Sequence, residues 1–140
     1  MKIMGFSFRK INIEKFSDSS KDLKIGTNID ILEINKISVD FLNNNEDMLG
    51  IKFNYLINYE PNIAKIEFEG DVLISIEPNL SKEIIKQWKD KKISEEIKVP
   101  LFNIILRKSN IKALQFQDEM NIPLHIPFPS IKKSNDEKVK

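Results

Sequence analysis

The sequence contains no cysteine, a single histidine and only four glycines. Without cysteine the chain has no disulfide, no thiolate metal ligand and no cysteine nucleophile, and this composition fits a reducing, cytoplasmic environment. A zinc-type centre needs several nitrogen or sulfur ligands, and one histidine does not supply them. The glycines are isolated, so they form no phosphate-binding loop. These deficits predict a protein that works without a metal or another cofactor.

An excess of charge and a long apolar run are also missing. The 22 basic and 21 acidic residues give a net charge of +1, so electrostatics give no reason to expect nucleic acid or a membrane surface as a partner. No stretch approaches the ~20 apolar residues of a membrane span, and residues 1–16 lack the apolar core of a signal peptide. We therefore expect a cytoplasmic protein without an integral membrane segment.

What is present is typical of one soluble domain. Hydrophobic residues make up 41% of the chain and charged residues 31%, which favours a folded protein over a disordered one. At 140 residues the chain can bury one sizeable core. We predict a single domain over residues 1–131 and a flexible charged tail over residues 132–140, where Val139 is the one apolar residue.

Alternation of apolar and polar residues is clearest in the middle of the chain. It runs through residues 51–59 and 66–76, on either side of the turn Glu60-Pro61-Asn62. This pattern predicts an antiparallel hairpin with one buried face. On the face left to solvent, the polar residues are interrupted by Leu56 and Leu73.

Two further strands are predicted over residues 5–16 and 25–41. In both, the apolar positions change parity, as between Phe8 and Ile11. Either a β-bulge or a crossing between two layers produces such a switch. With the hairpin, these strands predict a four-stranded sheet.

One long helix is predicted from Pro100 to Met120, because Pro100 suits a first helical turn. A shorter helix is predicted with Ser81 as its N-cap. Apolar and small residues recur along the long helix at steps of three and four, as on a face that packs against a sheet. This stripe comprises Phe102, Ile105, Leu106, Ser109, Ala113, Phe116 and Met120.

A second apolar stripe lies on roughly the opposite side of the long helix. It consists of Ile104, Ile111 and Leu114. A helix that covers one sheet in water needs one apolar face only, so we predict that these three residues contact another copy of the chain. The alternative is that they are scattered exposed apolar residues, which are common.

Candidate catalytic residues are few. His125 lies between apolar residues and prolines, which favours a structural role. Glu67, Glu69 and Asp71 share one strand face and could form an acid–base pair or a cation site. Charged residues on the solvent side of an amphipathic strand are more often simply solvated, so we predict no catalytic residue, no metal ligand and no enzymatic activity.

The order of elements after residue 50 resembles the SecB family of protein-export chaperones. The similarity is carried by Gly70 with alternating apolar residues after it, by Pro100 before a long helix, and by Pro123 a little over twenty residues later. A short apolar segment with prolines, residues 124–128, then follows. The resemblance covers residues 51–131, and the first fifty residues share only the order of strands.

The resemblance implies an α+β fold, with a four-stranded antiparallel sheet and the long C-terminal helix on one face. It also implies a dimer of dimers, that is a homotetramer, and a holdase that binds unfolded client polypeptides or preproteins in apolar grooves without ATP. Unlike the acidic SecB, this chain is near neutral, which leaves coupling to an export motor open. A general holdase and a chaperone for a toxin–antitoxin pair fit equally well. The rival is a structural or adaptor subunit that binds one specific folded partner.

Strand parity gives the candidate client-binding residues. They are Leu32, Ile34, Leu56 and Leu73, together with Phe41 from the connecting segment at the end of the second strand. They are expected to lie on the solvent face of the sheet or beside it, where exposed apolar patches mark partner contacts.

Overall fold

Four strands and two helices make up the part of the chain that the structure, a computed structural model, describes. That part comprises residues 1–38 and 45–133. The strands are β1 Lys2–Lys15, β2 Lys24–Ile37, β3 Asp47–Glu60 and β4 Ala64–Ile76, and the helices are α1 Pro78–Trp88 and α2 Glu95–Met120. The candidate residue Phe41 and most of the predicted tail lie outside the described residues.

The four strands form one antiparallel sheet in the order β1-β4-β3-β2. The predicted hairpin, β3 and β4, takes the centre, and the first two strands take the edges. One face of the hairpin is fully buried and includes Phe53, Tyr55 and Phe68. The predicted α+β fold, with the long C-terminal helix on one face of the sheet, is confirmed.

The parity switches in both edge strands are β-bulges. In β1 the register slips at Arg9, between the pairs that Phe8 makes with Gly70 and Lys10 makes with Glu69. In β2 it slips at Leu32. An extra residue shifts the alternation by one position, so apolar residues of opposite parity before and after the bulge share one face. The edge strands therefore keep their apolar residues on the buried side along most of their length.

The contact line of α2 rotates around the helix axis. Its buried residues recur at every fourth position: Ile97, Leu101, Ile105, Ser109, Ala113 and Gln117. At 3.6 residues per turn each step of four advances the contact by about 40°. The two halves of the helix therefore bury different sides, and no single stripe of the sequence matches the buried face along its whole length.

The predicted helix starts are wrong. Helix α1 begins at Pro78 with Glu77 as its N-cap, and Ser81 is buried inside it. Helix α2 begins at Glu95, so Pro100 lies inside the helix. Glu95 and its neighbour place negative charge in the first turn, which the helix dipole favours. The predicted end at Met120 is confirmed, and Asn121 follows in the left-handed conformation.

Candidate functional site

The face of the sheet that points away from α2, called here the open face, is mostly polar. It carries the even-numbered residues of β3 and the odd-numbered residues of β4, since these alternate with the buried positions. Lys52, Asn54, Glu69 and Asp71 occupy its middle. This agrees with the solvated face predicted for the hairpin.

At one end the open face is apolar. Gly50 of β3 pairs with Leu73 of β4, which pairs with Gly5 of β1. Ile37 of β2 covers Gly50 closely, since a Cβ at Gly50 would lie 2.6 Å from the Cδ1 atom of Ile37. These four residues, called here the Leu73 patch, lie around a depression of about 450 Å³. Both residues that pair directly with Leu73 are glycines, and its side chain is half-buried.

Charges of both signs border the Leu73 patch. Arg9 forms an ion pair with Asp71, and Glu33 stands opposite Lys52 across the two strands. All four line the same depression. An apolar floor with such a rim can bury an apolar side chain while polar groups beside it stay solvated.

The open face does not bring Leu56 and Leu73 together. Leu56 lies six residues along β3 from Gly50, the partner of Leu73, and six residues of strand span about 20 Å. Lys52 and Asn54 lie between them. Leu56 is half-buried, and Leu32 is the bulge residue at the edge of the sheet, 42% exposed.

The expectation that Ile34 lies beside the open face is wrong. Ile34 pairs with Ile51 on the buried side of the sheet and is 4% exposed. The bulge at Leu32 is the reason, because it moves every later residue of β2 to the other face. Ile34 instead lines a groove between β2 and α1.

Sequence reasoning missed Gly5, Ile37 and Gly50 as neighbours of Leu73. A signal was present, because glycine inside a strand often marks a close approach of another group. Gly50 faces Leu73 within the regular pairing of the hairpin, whereas Gly5 faces it next to the bulge at Met4, between Ile3 and Gly5. No pattern in the sequence specifies that bulge.

The free edges of the sheet belong to β1 and β2. Among the described strands each has a neighbour on one side only. The outward backbone groups of such strands can pair with another extended chain. The open face therefore ends, on both sides, at an edge that can accept a further strand.

Two of the three predicted oligomer residues meet on the outer side of α2. Ile111, 62% exposed, and half-buried Leu114 lie with Leu124 and Phe128 around a hollow of about 780 Å³. These four residues are called here the outer-helix patch. Ile104 is half-buried against the core instead, because the contact line of α2 passes closer to it.

His125 belongs to a hydrogen-bond network under the C-terminal segment. The Nε2 atom of Gln117 donates to Nδ1 of His125 at 2.8 Å and to the hydroxyl of Tyr59 at 2.7 Å. Nε2 of His125 lies 2.9 Å from Oδ1 of Asn110, so a neutral ring with its proton on Nε2 satisfies both contacts. The Tyr59 hydroxyl donates to the carbonyl of Pro123 at 2.7 Å. The network fastens the segment after α2 to the helix and to β3.

Burial sets the ionisation of this network. It lowers the pKa of His125 and raises the pKa of Tyr59 well above its ordinary value, although the hydrogen bond from Gln117 partly opposes the second effect. Each shift favours the neutral form, because a charge loses solvation when it is buried. The network is therefore neutral at physiological pH and has a structural role.

The carboxylates singled out in the sequence form ion pairs and amide contacts. The pKa of Glu67 is held below its usual range, chiefly by a hydrogen bond from Asn54 and then by Lys10 and Lys65. Within residues 1–38 and 45–133, no group of three or more metal-binding side chains comes together. No helix in that part of the chain is long and apolar enough to cross a membrane.

Comparisons with known proteins find a similar structure but no matching sequence. No protein-family model matches the chain, and no curated protein is similar to it. The structure is similar to that of the Mycobacterium tuberculosis SecB-like chaperone Rv1957, solved in complex with a ChAD peptide from the Rv1956 HigA1 antitoxin. The two are 10% identical, with a TM-score of 0.51 over 94% of this chain and 91% of that one. The chain therefore has the fold of the SecB-like chaperones.

Proposed function

We propose that the protein is an ATP-independent chaperone that holds unfolded polypeptide segments. The observation that carries this proposal is the Leu73 patch, an apolar floor on an otherwise charged sheet face. The fold adds support, since the similar mycobacterial protein is a chaperone that was solved with a peptide bound.

Binding would combine apolar contact with backbone pairing. An apolar side chain of the client enters the depression over Leu73, and the client backbone adds to a free sheet edge. Backbone pairing is independent of side-chain identity, so this mode tolerates many client sequences. Leu32 and Leu56 are further contacts for a client that runs along the open face, whereas buried Ile34 is left out of this surface.

Assembly is part of the proposal. The outer-helix patch exposes Ile111, Leu124 and Phe128, and a second copy of the chain can cover it with the same patch. We infer a dimer of dimers that works in the cytoplasm, with delivery of clients to an export pathway as one use. Ile111 and Leu114 would lie in the contact between copies.

A second candidate is a chaperone dedicated to one partner. It is favoured by one observation, the antitoxin peptide bound to the mycobacterial protein. In that case the client is an antitoxin-like segment rather than unfolded protein in general. An adaptor for one folded partner is the remaining alternative, and it predicts tight binding without suppression of aggregation.

Suppression of aggregation tests the proposal. The purified protein, at near-stoichiometric ratio, is expected to keep an unrelated unfolding protein in solution, as measured by light scattering. Leu73→Gln should weaken this activity several-fold. The matched control is Asn58→Gln, an exposed residue at the other end of the same face. No suppression by the wild type, together with one tight partner in a pull-down, would favour the dedicated or adaptor function.

A further inference from the structure

A second groove, between the edge strand β2 and helix α1, is strongly basic. Its volume is about 560 Å³, and four lysines line it: Lys36, Lys82, Lys86 and Lys89. The one acidic residue in the lining is Asp47, 3.5 Å from the ammonium group of Lys36. The groove therefore carries more positive charge than the net +1 of the whole chain.

The position of the lysines follows from helix geometry. Lys82, Lys86 and Lys89 are separated by four and three residues, and Lys89 is the helical C-cap directly after α1, so the three share one side of the helix. All three are exposed. The floor beneath them is apolar, with Ile34 of β2 buried and Ile85 of α1 half-buried. The groove thus has a charged wall, an apolar floor and, at β2, a strand edge without a neighbour in the described sheet.

We propose that this groove binds an extended polypeptide segment that is acidic at alternate positions. Four residues of helix rise about 6 Å, the step from Lys82 to Lys86, and two residues of an extended strand rise about 6.6 Å. A segment lying along α1 can therefore set two successive carboxylates opposite Lys82 and Lys86. Alternate side chains of an extended chain point to opposite sides, so those between the carboxylates point away from α1, and the backbone is free to pair with β2. Charge complementarity selects this occupant, because a basic segment would meet like charges.

This site is distinct from the Leu73 patch. The groove lies on the helix side of the sheet and the patch on the open face. The inference deepens the proposed function, since it rests on the protein binding polypeptide, and it adds a preference for acidic segments. A client can use both surfaces by passing around the edge of β2.

Fluorescence anisotropy with labelled peptides tests the inference. The probe is a short peptide of alternating glutamate and valine, and its counterpart has lysine in place of every glutamate. The full-length protein should bind the glutamate peptide at least about tenfold more tightly, with the difference shrinking as salt is raised, because exposed ion pairs are screened. Equal affinity for both peptides would overturn the inference.

Charge reversal locates the site. Replacing Lys82, Lys86 and Lys89 together by glutamate should weaken binding of the glutamate peptide at least about tenfold. The matched control reverses three exposed lysines outside the groove, Lys21, Lys108 and Lys132, and should change affinity less than twofold. A triple Lys→Gln variant, with its fold checked by circular dichroism, covers the case in which the reversed helix does not pack. Wild-type affinity in either groove variant contradicts the inference.

The two proposals fail separately. If the glutamate peptide does not bind but aggregation is suppressed and Leu73→Gln weakens that activity, only the acidic preference is wrong. If neither peptide binds and aggregation is not suppressed, the chaperone function itself is wrong.

Discussion

At the scale of single residues, His125 shows how a buried side chain is held in one ionisation state. Gln117 donates to Nδ1 of His125 and to Tyr59, so its amide nitrogen already uses both hydrogens. A proton on Nδ1 would face that nitrogen, and two donors would oppose each other. Reversing the amide would instead set its oxygen against the Tyr59 hydroxyl, which already donates to Pro123. Protonation therefore weakens the contacts that hold the C-terminal segment.

Stability is predicted to fall as pH falls below neutrality. Burial lowers the pKa of His125 in the folded state, whereas the unfolded chain has an ordinary value of about 6.5. Between the two values the unfolded state binds more protons, so the free energy of unfolding rises with pH. The contribution of His125 to the free energy of unfolding is complete above about pH 6.5 and is lost progressively below it. Urea unfolding at pH 7 and at lower pH, followed by the fluorescence of Trp88, measures this change.

The control for this prediction is His125→Asn. The asparagine side chain can still accept the hydrogen bond from Gln117 but does not titrate. Comparison with the wild type removes the contribution of carboxylates common to both proteins. An identical pH dependence in the two proteins would contradict the role assigned to His125.

Single residues also show the limits of strand parity. Leu56 and Leu73 are on the open face, as alternation predicts. Ile34 is not, because one bulge residue, Leu32, reverses the parity after it. The sequence shows that the parity of the apolar positions in β2 switches near Leu32. It does not show whether the odd-numbered or the even-numbered apolar residues face the helix.

At the scale of elements, the sheet depends on one close approach. A Cβ at Gly70 would clash with the backbone carbonyl of Ser7 and lie 2.8 Å from the ring of Phe53. That ring also packs against Phe6, with the ring centres 5.3 Å apart. Gly70 therefore lets β1 and the aromatic cluster of β3 approach the same point on β4.

Gly70→Ala is predicted to destabilise the protein by about 1–3 kcal/mol, because the neighbouring backbone cannot move as freely as a side chain. Urea unfolding measures the loss. Gly26→Ala is the matched control: it also lies in a strand, but a Cβ there meets nothing within 4 Å, so a change within about 0.5 kcal/mol is expected. Equal stability of the two variants would mean that β1 can shift to relieve the clash.

In helix α2 neither of the two apolar stripes coincides with the buried side along the whole helix. The predicted stripe is on the covered side at Ile105 and Ala113. Ile104 and Ile111 differ in exposure although both belong to the second stripe. The reason is that the contact line turns by about 40° for every four residues. Ile104 is near that line and half-buried, whereas Ile111 is opposite to it. Such rotation depends on the path of the helix over a twisted sheet. A helical projection of the sequence does not show that path.

At the scale of the whole molecule, three surfaces are assigned to three contacts. The Leu73 patch and the basic groove are proposed to bind polypeptide, and the outer-helix patch is proposed to join copies of the chain. They lie on the open face, at the β2 edge and on the outer side of α2, so one copy can use all three at once.

The oligomer is predicted to depend on Ile111. Ile111→Glu should lower the mass measured by light scattering from that of four chains to that of a smaller species, because it places a charge in an apolar contact. The substitution should leave the fold intact, since Ile111 is 62% exposed in the single chain. Lys108→Glu, also on the solvent side of α2, is the control and should keep the wild-type mass. A wild-type monomer would contradict the assignment of this patch.

The sequence alone predicts the α+β order, the central hairpin and the end of the long helix at Met120. These follow from local patterns: alternation of period two, helical spacing, and a turn residue such as Asn62. Only the tertiary structure shows which strands flank Leu73, the burial of Ile34 and the position of the α1 lysines beside Lys36 of β2. Those depend on strand register, on bulges and on where α1 packs, and each brings together residues far apart in the chain whose spacing carries no trace of the contact.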